Sequence, residues 1–117
     1  MVPRAGEIYL EGVGAEKKRP CVVVSRGNQN RGDYVVIVPI TSRKFVERSQ
    51  YANCVVFREG DFGLDTDCVA QAEHVHAALK SYLDLNGGPL GTLDGERIRE
   101  MIRAIGYVIS ADCEPVG

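Results

Sequence analysis

Apolar positions fall into two regimes along the chain. Over the first two-thirds they gather in short runs rich in valine and isoleucine, bounded by glycine, proline and charged residues, which is the pattern of strands and turns. Glu7-Ile8-Tyr9-Leu10 predicts a first strand, closed by Gly12-Val13-Gly14 and followed by a charged loop, Glu16-Lys17-Lys18-Arg19. Pro20-Cys21-Val22-Val23-Val24 predicts a second, with its proline at the first position, where a missing backbone donor does least harm. Val35-Val36-Ile37-Val38-Pro39-Ile40 predicts a third. Neither of the last two alternates with polar residues, so both are expected to be central and buried on both faces. Between them Arg26-Gly27-Asn28-Gln29-Asn30-Arg31-Gly32-Asp33 is turn chemistry throughout and reads as a turn or exposed loop. Asn53-Cys54-Val55-Val56-Phe57 and the long run from Cys68 to His76 complete five predicted strands, split by the turn cluster Glu59-Gly60-Asp61-Phe62-Gly63.

Near the end the period changes. Ile98, Met101, Ile102 and Ile105 stand at i, i+3, i+4 and i+7 with Arg97, Arg99, Glu100 and Arg103 between them, which predicts one apolar stripe on a helix. Thr92 or Asp94 supplies its cap, and Gly106 leaves open whether Tyr107-Val108-Ile109 continues it. Short strands followed by one helix predict a mainly β fold with a C-terminal α-helix: a small curled sheet or barrel with the helix packed on it. At 117 residues the chain is expected to form a single domain over 1–117.

Composition changes this picture little. An apolar share of 44% and a charged share of 26% are ordinary for a globular domain. The opening residues lack the apolar stretch of a secretory signal and no run approaches the length of a membrane span, so a cytoplasmic location with no membrane partner is expected. Cys21, Cys54, Cys68 and Cys113 form no C-x-x-C pair and only two histidines accompany them, so the cysteines are read as packing residues, with Cys113 in a polar tail. Neither a metal site nor a cofactor is expected. The net charge of −2 argues against a polyanion partner, yet residues 1–50 hold nine Lys/Arg against five Asp/Glu, while 51–117 hold five against eleven. Any phosphate-binding face belongs to the first half.

Three short motifs then stand in a telling order. Gly6-Glu7-Ile8-Tyr9, Lys18-Arg19-Pro20 entering a valine strand, and Pro39-Ile40-Thr41-Ser42 ending the next strand closely resemble the MazF/PemK pattern in order and spacing. Cys68-Val69-Ala70 with Glu73, and a closing helix after Leu90-Gly91-Thr92-Leu93, extend the likeness over nearly the whole chain, weakest in 44–66. The resemblance implies a barrel related to the SH3 type (the CcdB/MazF/PemK fold), a homodimer, and metal-independent cleavage of single-stranded RNA at a short sequence motif. It also implies an antitoxin partner whose disordered acidic tail folds onto the basic groove and blocks Arg19.

Cleavage of this kind uses the ribose 2′-hydroxyl as nucleophile, so the protein must stabilise a crowded anionic phosphorane and manage two protons. The resemblance marks Arg19 and Thr41 as the catalytic pair. An arginine fork can meet two phosphoryl oxygens at once, and a β-branched threonine offers one hydroxyl held still. Lys17, Lys18, Ser42 and Arg43 flank the pair as candidate contacts to the RNA backbone. Arginine is a poor base at neutral pH, so the proton acceptor stays open. Where relatives often carry glutamine and arginine two apart, this chain has His74 and His76, which strand alternation puts on one face as candidate contacts to bases or, alternatively, with one of them as an acid or base. Tyr9, Tyr34, Tyr51 and Phe57 are further aromatic candidates for stacking. Two other readings compete: a CcdB-like gyrase poison, which depends on a tryptophan near its C-terminus that this chain lacks, and an inactive barrel serving as a binding module.

Overall fold

The computed structural model describes residues 2–109. Eight strands and one long helix account for most of it: β1 (Glu7–Glu11), β2 (Arg19–Val23), β3 (Tyr34–Thr41), β4 (Cys54–Phe57), β5 (Cys68–Gln71), β6 (His76–Leu79), β7 (Leu83–Asp84), β8 (Gly91–Thr92) and the C-terminal helix, with a single helical turn at Phe45–Arg48 before β4. In chain order that turn is α1 and the terminal helix, Gly95–Val108, is α2. The sheet is antiparallel throughout, in the order β4-β5-β3-β2-β1-β7 with β6 branching from β3 and β8 from β1.

The β-branched runs are central because both of their faces are covered. Ile8, Val22, Val38 and Ile40 point into one core with Val55, Phe57, Ala70, Met101 and Ala104, between the sheet and α2. Tyr9, Cys21, Val23, Val35 and Ile37 point the other way and pack with Leu83. The double burial explains why these strands show no polar alternation. Cys21 and Cys68 are buried and Cys54 is half-buried, all three as free thiols; Cys113 lies outside the described residues. Tyr9 and Phe57 are sealed in the cores and cannot stack on a base, whereas Tyr34 and Tyr51 are exposed. No helix among the described residues is long and apolar enough to cross a membrane.

Three sequence expectations are corrected. The run from Cys68 to His76 is not one strand: β5 ends at Gln71, a 3-10 turn covers Ala72–His74, and β6 begins at His76. The physical reason is the buried Ala72, which enters the core beside α2 while its N–H donates to the Asn53 carbonyl. The bend lets β3 change partners, pairing with β6 over Tyr34–Ile37 and with β5 at Ile40 and Thr41. His74 and His76 therefore do not share a strand face; instead His76 Nδ1 lies 2.8 Å from the His74 carbonyl oxygen.

The helix stripe also shifts. Met101 and Ala104 are buried, and Ile98, Ile105 and Val108 pack partly against the core, but Ile102 is 62% exposed. The helix runs through Gly106 to Val108 and is capped by Asp94, whose carboxylate accepts from the Arg97 N–H at 2.9 Å. Arg97, on the polar side of the sequence pattern, reaches inward: its guanidinium lies 4.6 Å from the Phe57 ring centroid, donates to the Val56 carbonyl and pairs with Glu100. Finally, the 26–33 loop is not wholly exposed. Asn30 is fully buried, its amide donating to the carbonyls of Pro3 and Ser25, while Lys80 donates to its backbone oxygen.

Candidate active site

Two strand ends build the site. The β1–β2 loop leaves β1 through Gly12, whose N–H donates to the Tyr82 carbonyl, and brings Lys17 and Lys18 up to Arg19, the first residue of β2. Thr41 is the last residue of the neighbouring β3. Cys21 faces Pro39 across these two strands, the last step of their pairing, and Arg19 and Thr41 lie just beyond it at the adjoining strand ends. The β1–β2 register places Glu11 beside Arg19, and one of its carboxylate oxygens, Oε2, is buried with no hydrogen-bond partner among the described residues. Glu11 and Arg19 thus form a polar pair across two strands, with Thr41 at the adjoining end of β3.

Arg19 and Thr41 line one cavity of about 390 Å³. Lys17 and Lys18 flank it on one side, Ser42 and Arg43 on another, and Leu10, Pro20, Ile40 and Cys68 are apolar neighbours within it. A further wall comes from Gly63, Leu64, Asp65, Thr66 and Leu90. All four cations and both hydroxyl residues read from the sequence as flanking or forming the site meet here. His74 and His76 do not; both are exposed but lie outside this lining.

The side chains are held to different degrees. The Arg19 guanidinium is exposed and, among the described residues, makes no ion pair, leaving its donors available to an anion. Thr41 Oγ1 accepts from the Arg43 N–H at 3.1 Å, a local turn bond that fixes the oxygen yet leaves the hydroxyl proton free to donate outward. Lys18 is already engaged, its ammonium 3.0 Å from the Asp84 carboxylate. That hydrogen bond and charge hold the Asp84 carboxyl below the usual carboxylate range. The Cys68 thiol is pushed up to about 11 by burial and by the nearby charges of Asp65, Asp67 and Asp61, so it is a neutral thiol at physiological pH.

The wall containing Asp65 was not singled out in the sequence. It falls in the 44–66 stretch where the motif pattern is weakest, and its placement depends on a contact between distant glycines. A Cβ at Gly91 would lie 2.0 Å from the Phe62 carbonyl oxygen, and one at Gly63, whose φ is +82°, would lie 2.1 Å from that of Leu90. Two bare backbones meet there, and the turn is thereby laid against β8.

A curled antiparallel sheet with a terminal helix, carrying an arginine and a threonine at adjoining strand ends amid lysines, defines a small β protein with a cation-lined cleft. The chain belongs to the PemK-like, MazF-like toxins of type II toxin-antitoxin systems, whose family model matches residues 4–109. No curated protein sequence matches it. Among solved structures it is similar to an endoribonuclease in complex with its cognate antitoxin from a mycobacterial species, at 22% identity over 98% of this chain and 99% of that one, with a TM-score of 0.73. It is also similar to the toxin MazF-mt6 of Mycobacterium tuberculosis (20% identity, 89% and 96% covered, TM-score 0.72). A MazE-MazF structure from Deinococcus radiodurans is a third match (21% identity, 94% and 97% covered, TM-score 0.72). At these identities the structures establish a shared fold.

Proposed function

We propose that this toxin is an endoribonuclease that cuts single-stranded RNA at a short sequence motif without a metal ion. The observation that supports the reading is the cavity that Arg19 and Thr41, at the ends of neighbouring strands, both line. The ribose 2′-oxygen attacks the adjacent phosphorus and the bond to the 5′-oxygen breaks, leaving a 2′,3′-cyclic phosphate and a 5′-hydroxyl. Arg19 meets the phosphoryl oxygens with two parallel donors as negative charge builds, and the Thr41 hydroxyl donates a third hydrogen bond. Lys17, Lys18, Ser42 and Arg43 hold neighbouring phosphates; His74 and His76, outside the cavity, are limited to contacts with flanking nucleotides.

A cognate antitoxin with a disordered acidic tail is the proposed inhibitor, because the cations that would hold RNA would equally hold carboxylates. The fold of this chain is shared with toxins solved together with antitoxins. A homodimer is the proposed working form: Ile102, Tyr107 and Ile109 stand exposed along or beside α2 and would be covered by a second copy.

The test is incubation of the purified protein with a long single-stranded RNA in EDTA, with the new ends mapped. Cyclic-phosphate ends are expected. Arg19→Ala and Thr41→Ala are each expected to lower the rate by about 100-fold or more with the melting temperature little changed, since each removes a donor aimed at transition-state charge. Inhibition of gyrase without RNA cleavage would favour the gyrase-poison reading instead, and neither activity would favour a binding module.

A further inference from the structure

The cavity lacks an obvious proton acceptor until its lining is sorted by charge state. Lys17, Lys18, Arg19 and Arg43 carry protons at neutral pH and accept none. Thr41 and Ser42 are hydroxyls, and Cys68 is held in its protonated form by burial and by the aspartates around it. Asp65 is the one carboxylate in the lining.

Other bases on the molecule are placed elsewhere or already engaged. His74 and His76 lie outside the lining. Glu73 accepts from the Asn53 and Gln71 side-chain amides, at 2.7 and 3.4 Å. Glu11, which pairs with Arg19 across β1 and β2, is turned to the buried Cys21 thiol and is not part of the cavity lining. Asp61 and Asp67 are spent on the backbone N–H groups of Arg58 and Glu59. Asp65, by contrast, is exposed and makes no hydrogen bond or ion pair among the described residues.

We propose that Asp65 is the general base of this site, an inference that rests on the ribonuclease reading above. Its carboxylate takes the proton of the ribose 2′-hydroxyl as the 2′-oxygen bonds to phosphorus. The departing 5′-oxygen takes a proton from solvent, and Asp65 returns its own proton to solvent after the product leaves. Arg19 and Thr41 then have only the phosphorane to stabilise, which spares arginine a role that its high pKa makes poor. The charged and titratable groups around Asp65 are the cations Lys17, Lys18, Arg19 and Arg43 and the thiol of Cys68 in the lining, and the carboxylates of Asp61 and Asp67 beside that thiol.

Single-turnover cleavage of a short single-stranded RNA in EDTA, followed from acid to neutral pH, tests this. The wild-type rate is expected to rise with pH as the carboxylate ionises. Asp65→Asn is expected to lower the neutral-pH rate by about 100- to 10,000-fold and to flatten the acid limb. The same variant should bind a fully 2′-O-methylated copy of the strand, which has no attacking hydroxyl, as tightly as the wild type or more so, because a negative charge has left a cationic cavity. Glu59→Gln, on the same turn but outside the lining, should leave cleavage unchanged. A rate for Asp65→Asn within about threefold of wild type, or a retained acid limb, would overturn the proposal. So would a loss of cutting matched by an equal loss of binding to the methylated strand, which would make Asp65 a wall residue only. If the wild type itself cuts no RNA, the ribonuclease reading fails first and takes the proposal with it.

Discussion

Thr41 and Lys18 show how single residues of this site are poised. Thr41 spends its lone pair on the Arg43 N–H and keeps its proton for a ligand, so serine at this position preserves the chemistry while valine removes it. Lys18 is paired with Asp84, and under the proposed function an RNA phosphate would compete for it. Asp84→Asn releases it. Affinity for single-stranded RNA is therefore expected to rise a few-fold, and the slope of log affinity against log salt to steepen by about 0.7, the release of one more counterion. Filter binding across a salt series reads both. Because the ammonium holds Asp84 ionised below the usual range, the pair persists at neutral pH and is lost only on strong acidification. Arg19 and Thr41 were marked in the chain only by the family resemblance of Lys18-Arg19-Pro20 and Pro39-Ile40-Thr41-Ser42; periodicity and composition alone single out neither. Asp65 was not, since membership of the cavity is decided by packing between glycines far apart in sequence.

At the scale of elements, helix α2 and the turn over β8 repay separate tests. Asp94 satisfies one of the otherwise unpaired N–H groups of the first helical turn, and Asp94→Ala is expected to destabilise the fold by about 0.5–2 kcal/mol, read by urea denaturation. Gly91→Ala should do more damage to function than its single added methyl suggests. The carbonyl of Phe62 stands where that methyl would go, so the turn must lift away from β8 and carry the Asp65 wall with it. Cleavage is expected to fall by at least about 10-fold even where a cooperative melt survives. The helix itself was plain from its period, but its inward face was rotated from the expected one. Ala104 is buried beside Met101 in the core and Ile102 is exposed, a matter of tertiary fit that one-dimensional spacing does not carry. The break after Gln71 was hidden for a similar reason: nothing in Cys68-Val69-Ala70-Gln71-Ala72 announces a turn, and it is the burial of Ala72 in the core that goes with one.

Over the whole molecule, the buried acids set a limit at high pH. Burial, with Glu7 accepting from the Tyr9 hydroxyl, pushes that phenol up to about 12, and burial drives the Cys21 thiol upward as well. An unfolded chain ionises its thiols near 8.5 and its tyrosines near 10, whereas the folded chain keeps these protons. Stability is therefore full below about pH 8.5 and declines as pH rises from there toward about 12, because the native state binds more protons over that window. Thermal melts in alkaline buffers should show the decline, and Tyr9→Phe should remove its upper part. The uneven charge of the chain also finds its place at this scale: Lys17, Lys18, Arg19 and Arg43 all come from the basic first half, and the fold gathers them at one mouth.

The division of β3 between two partners has a mechanical consequence. Its early residues lean on β6 and its last two on β5, so each end of the strand is buttressed separately, like a plank resting on two trestles. Fraying of β6 would loosen the end at Tyr34 and leave the end bearing Thr41 seated. Amide hydrogen exchange should accordingly find early opening around Ala77 and Ala78 while the protons at Ile40 and Val69 persist, a site insulated from the breathing of its own strand.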